Sequence, residues 1–193
     1  MAFTIQIGQP APMFSLPATD GMTYSLDDFA DARLMLVVFS SNHCPYVVGS
    51  EDRMIDFSRR NAPLGLSMAA INANETVNHP TDSFQHMIQR ALEKKFPFPY
   101  LRDESQDVAR AYGALRTPHY FLFDDERKLR YTGRMDDNPR KPEQAKTREL
   151  QDAVDDLLAG RSVHTPLTNP IGCNVKWAGR DHHWMPPEAC DLV

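Results

Sequence analysis

The sequence predicts a single α/β domain with a mixed central sheet flanked by helices, an N-terminal hairpin and a C-terminal extension. Three observations predict it. Strand-like and helix-like segments alternate along the chain. Leu34-Met35-Leu36-Val37-Val38-Phe39 is an unbroken apolar run between polar turn residues, as a central strand buried on both faces requires. Tyr120-Phe121-Leu122-Phe123 and Leu129-Arg130-Tyr131-Thr132, joined by Asp124-Asp125-Glu126-Arg127, read as an antiparallel pair. With 193 residues, 41% of them apolar and 24% charged, the chain suffices for one sizeable core and nothing marks a second. The domain is expected over residues 1–160 and the extension over residues 161–193.

Taken in order, Met13-Phe14-Ser15-Leu16-Pro17 and the turn Asp20-Gly21 predict a short hairpin that ends near Tyr24. Ser25-Leu26-Asp27-Asp28-Phe29 reads as a capped single helical turn. After the central strand a helix opens near Tyr46 and runs over Glu51 to Arg60. Leu66 to Asn72 is expected as a strand. Ser83 to Lys95 places Phe84, Met87, Ile88 and Leu92 at helical spacing, an amphipathic helix ended by Pro97 and Pro99. Gln106 to Tyr112 is a short helix stopped at Gly113, where a residue without a Cβ takes the left-handed cap. Lys146 to Ala159 carries Leu150, Val154, Leu157 and Leu158 on one face and ends at Gly160. There is no internal repeat, and the tail from Arg161 has no period.

Composition excludes several functions. A net charge of −5 with scattered basic residues leaves no electrostatic footprint for nucleic acid. No segment approaches the roughly 20 apolar residues of a membrane helix, and Met1 to Pro12 lack the basic start and apolar run of a secretory signal. The expected compartment is the cytoplasm. Three cysteines argue against a structural disulfide framework and for reduced thiols with individual roles.

The most informative of these thiols is in Ser41-Asn42-His43-Cys44-Pro45, where the central strand gives way to a helix. Unpaired backbone N–H groups at a helix start stabilise negative charge, so a lone cysteine there is a candidate nucleophile. Ser41 stands where a dithiol motif would carry its first cysteine, which excludes a Cys-x-x-Cys disulfide at this turn. Peroxide reduction requires an activated thiolate, donors that hold the substrate and charge stabilisation for the departing oxygen. Cys44, Ser41, Arg116 and the helix-start N–H groups meet that list in type. The resulting sulfenic acid at Cys44 must be cleared by a second thiol, for which Cys173, Cys190 or an external thiol are the candidates.

Several motifs carry a family resemblance: Gly8-Gln9-Pro10-Ala11-Pro12-Met13-Phe14-Ser15-Leu16, Asn42-His43-Cys44-Pro45-Tyr46-Val47 with Glu51-Asp52-Arg53, Gly113-Ala114 leading to Thr117-Pro118-His119, Gly133-Arg134-Met135-Asp136-Asp137-Asn138, and Gly172-Cys173-Asn174-Val175-Lys176-Trp177. Over roughly residues 8 to 177 the chain resembles the alkyl hydroperoxide reductase and thiol-specific antioxidant superfamily, in its peroxiredoxin-like branch. The resemblance implies a thioredoxin-like sandwich and a Thr117-Pro118 bond like the cis-proline that faces the thiol in that fold. Members of the branch often show Cys-x-x-Cys at the strand–helix turn and a cysteine two residues before the Thr-Pro, where this chain has Ser41 and Arg116. The remaining Ser41-x-x-Cys44 resembles the Thr/Ser-x-x-Cys core of peroxiredoxins, in which the hydroxyl orients peroxide and an arginine stabilises the thiolate. Val37 stands where that core has a preceding proline, and the peroxiredoxin arginine falls nearer Pro118 than Arg116.

The expected function is therefore a thiol-dependent antioxidant oxidoreductase, a peroxidase acting on hydrogen peroxide or small hydroperoxides. Its expected site is Cys44, Ser41, Arg116, His43, Thr117 and Pro118, and it needs no cofactor. The expected partners are the peroxide, a thiol reductant such as glutathione or a thioredoxin-like protein, and a second copy of the chain in a homodimer. Each residue also has a plainer reading: Cys44 as an inert buried thiol, His43 as a loop imidazole that tunes it, Ser41 as a backbone cap, Arg116 as a surface cation paired with Asp103 or Glu104, Trp177 as packing. The alternative function is a catalytically degenerate binding or metal-sensing protein, with Cys173, His182, His183 and Cys190 as ligands for Zn or Cu.

Overall fold

The computed structural model describes residues 3–179. Its first elements are the hairpin β1 (Ser15–Pro17) and β2 (Thr23–Ser25), followed by a single 3₁₀ turn, Leu26–Phe29. That turn is capped as its sequence requires, with the Asp28 carboxylate accepting from the Ser25 N–H at 2.6 Å and from its hydroxyl at 2.8 Å. Strand β3 (Leu34–Phe39) follows, all six side chains buried, and feeds helix α1 (Pro45–Asn61). Next come β4 (Leu66–Asn72), α2 (Phe84–Lys94), β5 (Tyr100–Arg102) and α3 (Asp107–Tyr112). The chain continues through β6 (Arg116–Thr117), β7 (His119–Phe123), β8 (Leu129–Gly133), α4 (Glu149–Leu158) and β9 (Cys173–Asn174).

Five strands form the central sheet in the order β5-β4-β3-β7-β8. β3, β4 and β5 run parallel, while β7 is antiparallel to β3 and β8 to β7, so the sheet is mixed as predicted. Because side chains alternate along a strand, β3 feeds two cores. Met35, Val37 and Phe39 pack with Phe14, Ile71, Tyr112, Phe121 and Trp177 on one face. Leu36 and Val38 pack with Met54, Phe57, Met68, Leu122 and Val154 beneath the α1 side. The topology brings the C-terminal ends of β3 and β4 and the N-terminal end of β7 to one edge, since Phe39 lies opposite both Ile71 and His119.

Three short strands escape the sequence reading. Tyr100–Arg102 is buried at every position, and β6 and β9 are two residues each, too short for any period to show. Two helices are shorter than predicted. α2 ends at Lys94 because Lys95 turns left-handed, with φ 53°, before either proline is reached. α4 begins at Glu149, since Arg148 is non-helical with φ −146° and ψ 48°. The apolar stripe of α2 also differs from the predicted one. Met87 is fully buried, with Phe84 and Ala91 packed beside it, whereas Leu92 is 72% exposed. Steps of three and of four from Phe84 both satisfy helical spacing, and the helix uses Phe84-Met87-Ala91. Beside that stripe, α2 is tied to α1 by the Arg90 guanidinium, which donates to both oxygens of buried Glu51 at 2.9 and 2.8 Å.

Residues 161–179 lie against this body rather than apart from it. Thr168 accepts from the Arg134 N–H at 3.1 Å, Thr132 N–H donates to the Pro166 carbonyl at 3.0 Å, and β9 pairs antiparallel with β6. Among the described residues no helix is long and apolar enough to cross a membrane. The stripe assignment is tested by urea unfolding. Met87→Ala should cost about 2–5 kcal/mol through lost burial and a residual cavity, and Leu92→Ala less than about 0.5 kcal/mol; equal losses would restore the predicted stripe.

Candidate active site

Cys44 caps the N-terminus of α1 with Pro45 in the first helical position, a place where the missing proline N–H costs nothing. The residue is fully buried, and its thiol donates to the Thr117 carbonyl at 3.0 Å. Thr117 precedes Pro118 through a cis peptide bond. β9 then places Cys173 directly across from Thr117. Cys173 packs against the cluster that holds Cys44, and both thiols are free. Burial and the neighbouring Cys44 push the Cys173 pKa up to about 11, against the opposing pull of Lys176 and Arg116. Cys173 therefore keeps its proton at neutral pH.

The loop before Cys44 is organised by a residue that the sequence reading missed. Asp82 is fully buried in the 3₁₀ turn Pro80–Asp82 ahead of α2. Its Oδ1 accepts from the Asn42 N–H at 2.5 Å and the Asn72 side-chain amide at 3.1 Å. Its Oδ2 accepts from His43 Nδ1 at 2.7 Å, the Asn74 side-chain amide at 2.7 Å and the Ser41 hydroxyl at 3.1 Å. Burial alone would raise the carboxyl pKa. The hydrogen bonds from His43, Asn74 and Asn42, with the charge of the imidazole, outweigh it and hold the value at about 2. Tyr100 completes the cluster, its hydroxyl donating to Asn42 Oδ1 at 3.0 Å and accepting from the Asn72 amide at 3.2 Å. The only sequence signal was the pair of asparagines, two apart, where an otherwise apolar strand ends.

Ser41 is thus turned to a different task from the one its motif implies. Its single hydrogen goes to Asp82, and its lone pairs accept the N–H groups of His43 and Cys44, each at 3.2 Å. His43 stacks on His79 with ring centroids 5.1 Å apart, and His79 Nδ1 meets Glu75 at 2.5 Å. Arg116 is half-buried beside the pair and reaches along β9, donating to Asn174 Oδ1 at 2.9 Å and to the Gly172 carbonyl at 3.4 Å. Asp103 and Glu104 are engaged elsewhere: Asp103 accepts the Ala109 N–H at 2.8 Å and Glu104 pairs with Arg102 at 2.6 Å. His119 follows Pro118 with no exposed surface. Its Nδ1 accepts the Leu115 N–H at 3.2 Å, so Nε2 carries the hydrogen and meets Thr132 Oγ1 at 3.0 Å. Burial and nearby Arg116 lower its pKa to about 3, so it is a neutral brace.

Of the predicted site, Cys44, Ser41 and His43 share one loop, and Thr117, Pro118, Arg116 and Cys173 meet them across the β6–β9 pair. His182, His183 and Cys190 lie outside the described residues. Among the described residues no group of three or more His, Cys, Asp and Glu side chains could hold a metal ion.

Residues 6–150 match the Redoxin family. The chain belongs to the Redoxin family. This redoxin is 38% identical to a hypothetical protein from Sinorhizobium meliloti 1021 whose crystal structure superposes with a TM-score of 0.85, covering 92% of this chain and 97% of that one. A thioredoxin domain of a thiol-disulfide oxidoreductase from Bacteroides vulgatus superposes with a TM-score of 0.56 at 19% identity, over 65% of this chain and 86% of that one, which shows the thioredoxin fold. Over 112 residues, 58% of this chain and 69% of the other, the redoxin is 25% identical to "Putative peroxiredoxin bcp" of Coxiella burnetii (strain RSA 493 / Nine Mile phase I). It is a thioredoxin-fold member of an oxidoreductase family with distant peroxiredoxin homology.

Two measurements test the site's geometry. A Cβ at Gly172 would lie 2.1 Å from the Thr117 carbonyl oxygen and 2.6 Å from its carbon. Gly172→Ala should therefore unseat β9, costing about 1–3 kcal/mol and raising the alkylation rate of Cys173; an unchanged rate would mean the strand yields without moving the thiol. Asp82, ionised in the fold down to about 2, contributes stability that is complete above its ordinary 3.8 and is lost as pH falls through the folded value. Between pH 4 and 2 the redoxin should lose about 2 kcal/mol more than its Asp82→Asn variant. Parallel unfolding curves would mean the carboxylate is not ionised in the fold.

Proposed function

We propose that this redoxin reduces hydrogen peroxide or small organic hydroperoxides at Cys44, with Cys173 as the resolving thiol. The observation that carries the reading is that Thr117 stands between the two thiols, its carbonyl accepting from Cys44 at 3.0 Å while β9 sets Cys173 directly opposite it. The Cys44 thiolate attacks one peroxide oxygen; the O–O bond breaks, and the leaving oxygen takes a proton to depart as water or alcohol. The Cys173 sulfur then attacks the Cys44 sulfenic acid, displacing water and closing the disulfide. An external thiol reductant, whether glutathione or a thioredoxin-like protein, returns both thiols at the expense of its own oxidation.

Since Ser41 is committed to Asp82, the substrate donor falls to Thr117. Its hydroxyl is buried without a partner among the described residues, and its side chain shares a face with Cys173 because the two residues oppose each other across the ladder. The full burial of Cys44 favours a second reading, direct exchange with a protein disulfide entering through the more exposed Cys173.

Intact-mass analysis after one equivalent of hydrogen peroxide separates them. The wild type should lose two hydrogens on forming one disulfide, Cys173→Ser should gain one oxygen that a sulfenic-acid trap captures at Cys44, and Cys44→Ser should not react. Peroxide turnover retained by Cys44→Ser would exclude the site, and a wild type inert to peroxide yet oxidised by a protein disulfide would favour exchange.

A further inference from the structure

We propose that Asn74 is the positioning residue that registers Cys173 against Cys44. The inference rests on the reading of these two thiols as one redox pair. Asn74 lies just beyond β4 with 1% of its surface exposed, between the two segments that carry the cysteines. Its side-chain NH₂ donates to Asp82 Oδ2 at 2.7 Å, and its side-chain carbonyl accepts the Lys176 N–H at 2.8 Å. The orientation of the amide is dictated by its partners, since reversing it would set oxygen against carboxylate and NH₂ against N–H.

Each end of the amide leads to one sulfur. On the first side Asp82 accepts the Ser41 hydroxyl, and Ser41 accepts the Cys44 N–H at 3.2 Å, so the carboxylate fixes the start of α1. On the second side Lys176 lies just beyond β9 in the segment that carries Cys173, with its carbonyl held by the Glu75 N–H and the Gln106 side chain, each at 2.8 Å. The backbone of Asn74 is itself fixed, its N–H donating to Asn72 Oδ1 at 3.0 Å and its carbonyl accepting from Arg102 at 2.8 Å. A side chain so held cannot follow one cysteine segment without the other. β9 pairs with β6 through only two residues, so the amide supplies a second anchor for the strand that carries Cys173.

The test is the equilibrium of the Cys44–Cys173 disulfide with the glutathione couple, in which glutathione disulfide takes two electrons and two protons from the dithiol to give two glutathione molecules. Asn74→Ala removes both contacts. Asn74→Asp keeps the side-chain shape and the acceptor for Lys176 but opposes a second carboxylate to Asp82. Both should lower the effective concentration of one thiol toward the other about tenfold, which moves the potential upward by about 30 mV. Asn61→Ala, at an equally buried amide that bonds Phe57 and Gln151, should lower the melting temperature and leave the potential unchanged. An unchanged potential in the Asn74 variants, or failure of both to fold, would make Asn74 a structural residue only. A wild type that forms no internal disulfide in oxidised glutathione overturns the inference together with the resolving role. A disulfide that forms and shifts as expected, but that peroxide does not drive, overturns the peroxidase reading and leaves the role of Asn74 standing.

Discussion

The buried carboxylate of Asp82 is the constraint on which the rest of the site depends. Removing a charge from water is costly unless hydrogen bonds replace its hydration, and a buried anion left with one partner fewer is strongly destabilising. Here the replacements come from a strand end, the residue just beyond it and the loop that precedes Cys44: the amides of Asn72 and Asn74, the N–H of Asn42, the hydroxyl of Ser41 and the imidazole of His43. The Ser41–Cys44 loop therefore has one conformation in which the anion is satisfied. Cys44 reaches the start of α1 as a consequence of that requirement, with Ser41 relaying it to the cysteine N–H.

The same requirement explains how a chain without a dithiol motif still pairs two thiols. A Cys-x-x-Cys turn supplies the second sulfur from the same helix start. In this chain that position holds Ser41, whose oxygen is used as an acceptor for two backbone donors, a task a thiol performs poorly. The second sulfur comes instead from the C-terminal segment, carried by β9 onto Thr117 and seated there because Gly172 has no side chain to keep it away from the Thr117 carbonyl. Arg116, which the motif places near the thiolate, spends its guanidinium on this same segment through Gly172 and Asn174.

How much of this was legible in the sequence follows from the length scale of each signal. β3 was legible because burial on both faces writes a continuous apolar run, and the β7–β8 hairpin because two such runs flank a polar turn. The thiol at the strand–helix junction was legible for the same reason, as its context is local. The strands β5, β6 and β9 were not, since two or three residues carry no period. Asp82 in Pro80-Thr81-Asp82-Ser83 reads as an ordinary helix-start acid, and nothing nearby indicates that its partners are the ends of β3 and β4. Leu92 was misplaced because spacing identifies a stripe but not which of two overlapping stripes the neighbouring element covers. Cys173 could be named as a thiol, but its distance from Cys44 is a property of the β6–β9 register, which no local pattern encodes.

These placements relocate the chemistry within the fold. With Ser41 occupied on the Asp82 side, the surface of Cys44 that meets other reactive groups is the one toward Thr117 and Cys173. That surface is built jointly by the cis-proline loop and by residues 172–178, which also pass their backbone across Asn74, Glu75 and Gln106. The described part of the C-terminal segment is thus a wall of the candidate active site and its source of the second thiol. A change that loosens this segment shifts Cys173 relative to Cys44 as directly as a change at the start of α1, because the carboxylate network holds one thiol while the β6–β9 ladder and the contacts of Arg116 and Gln106 hold the other.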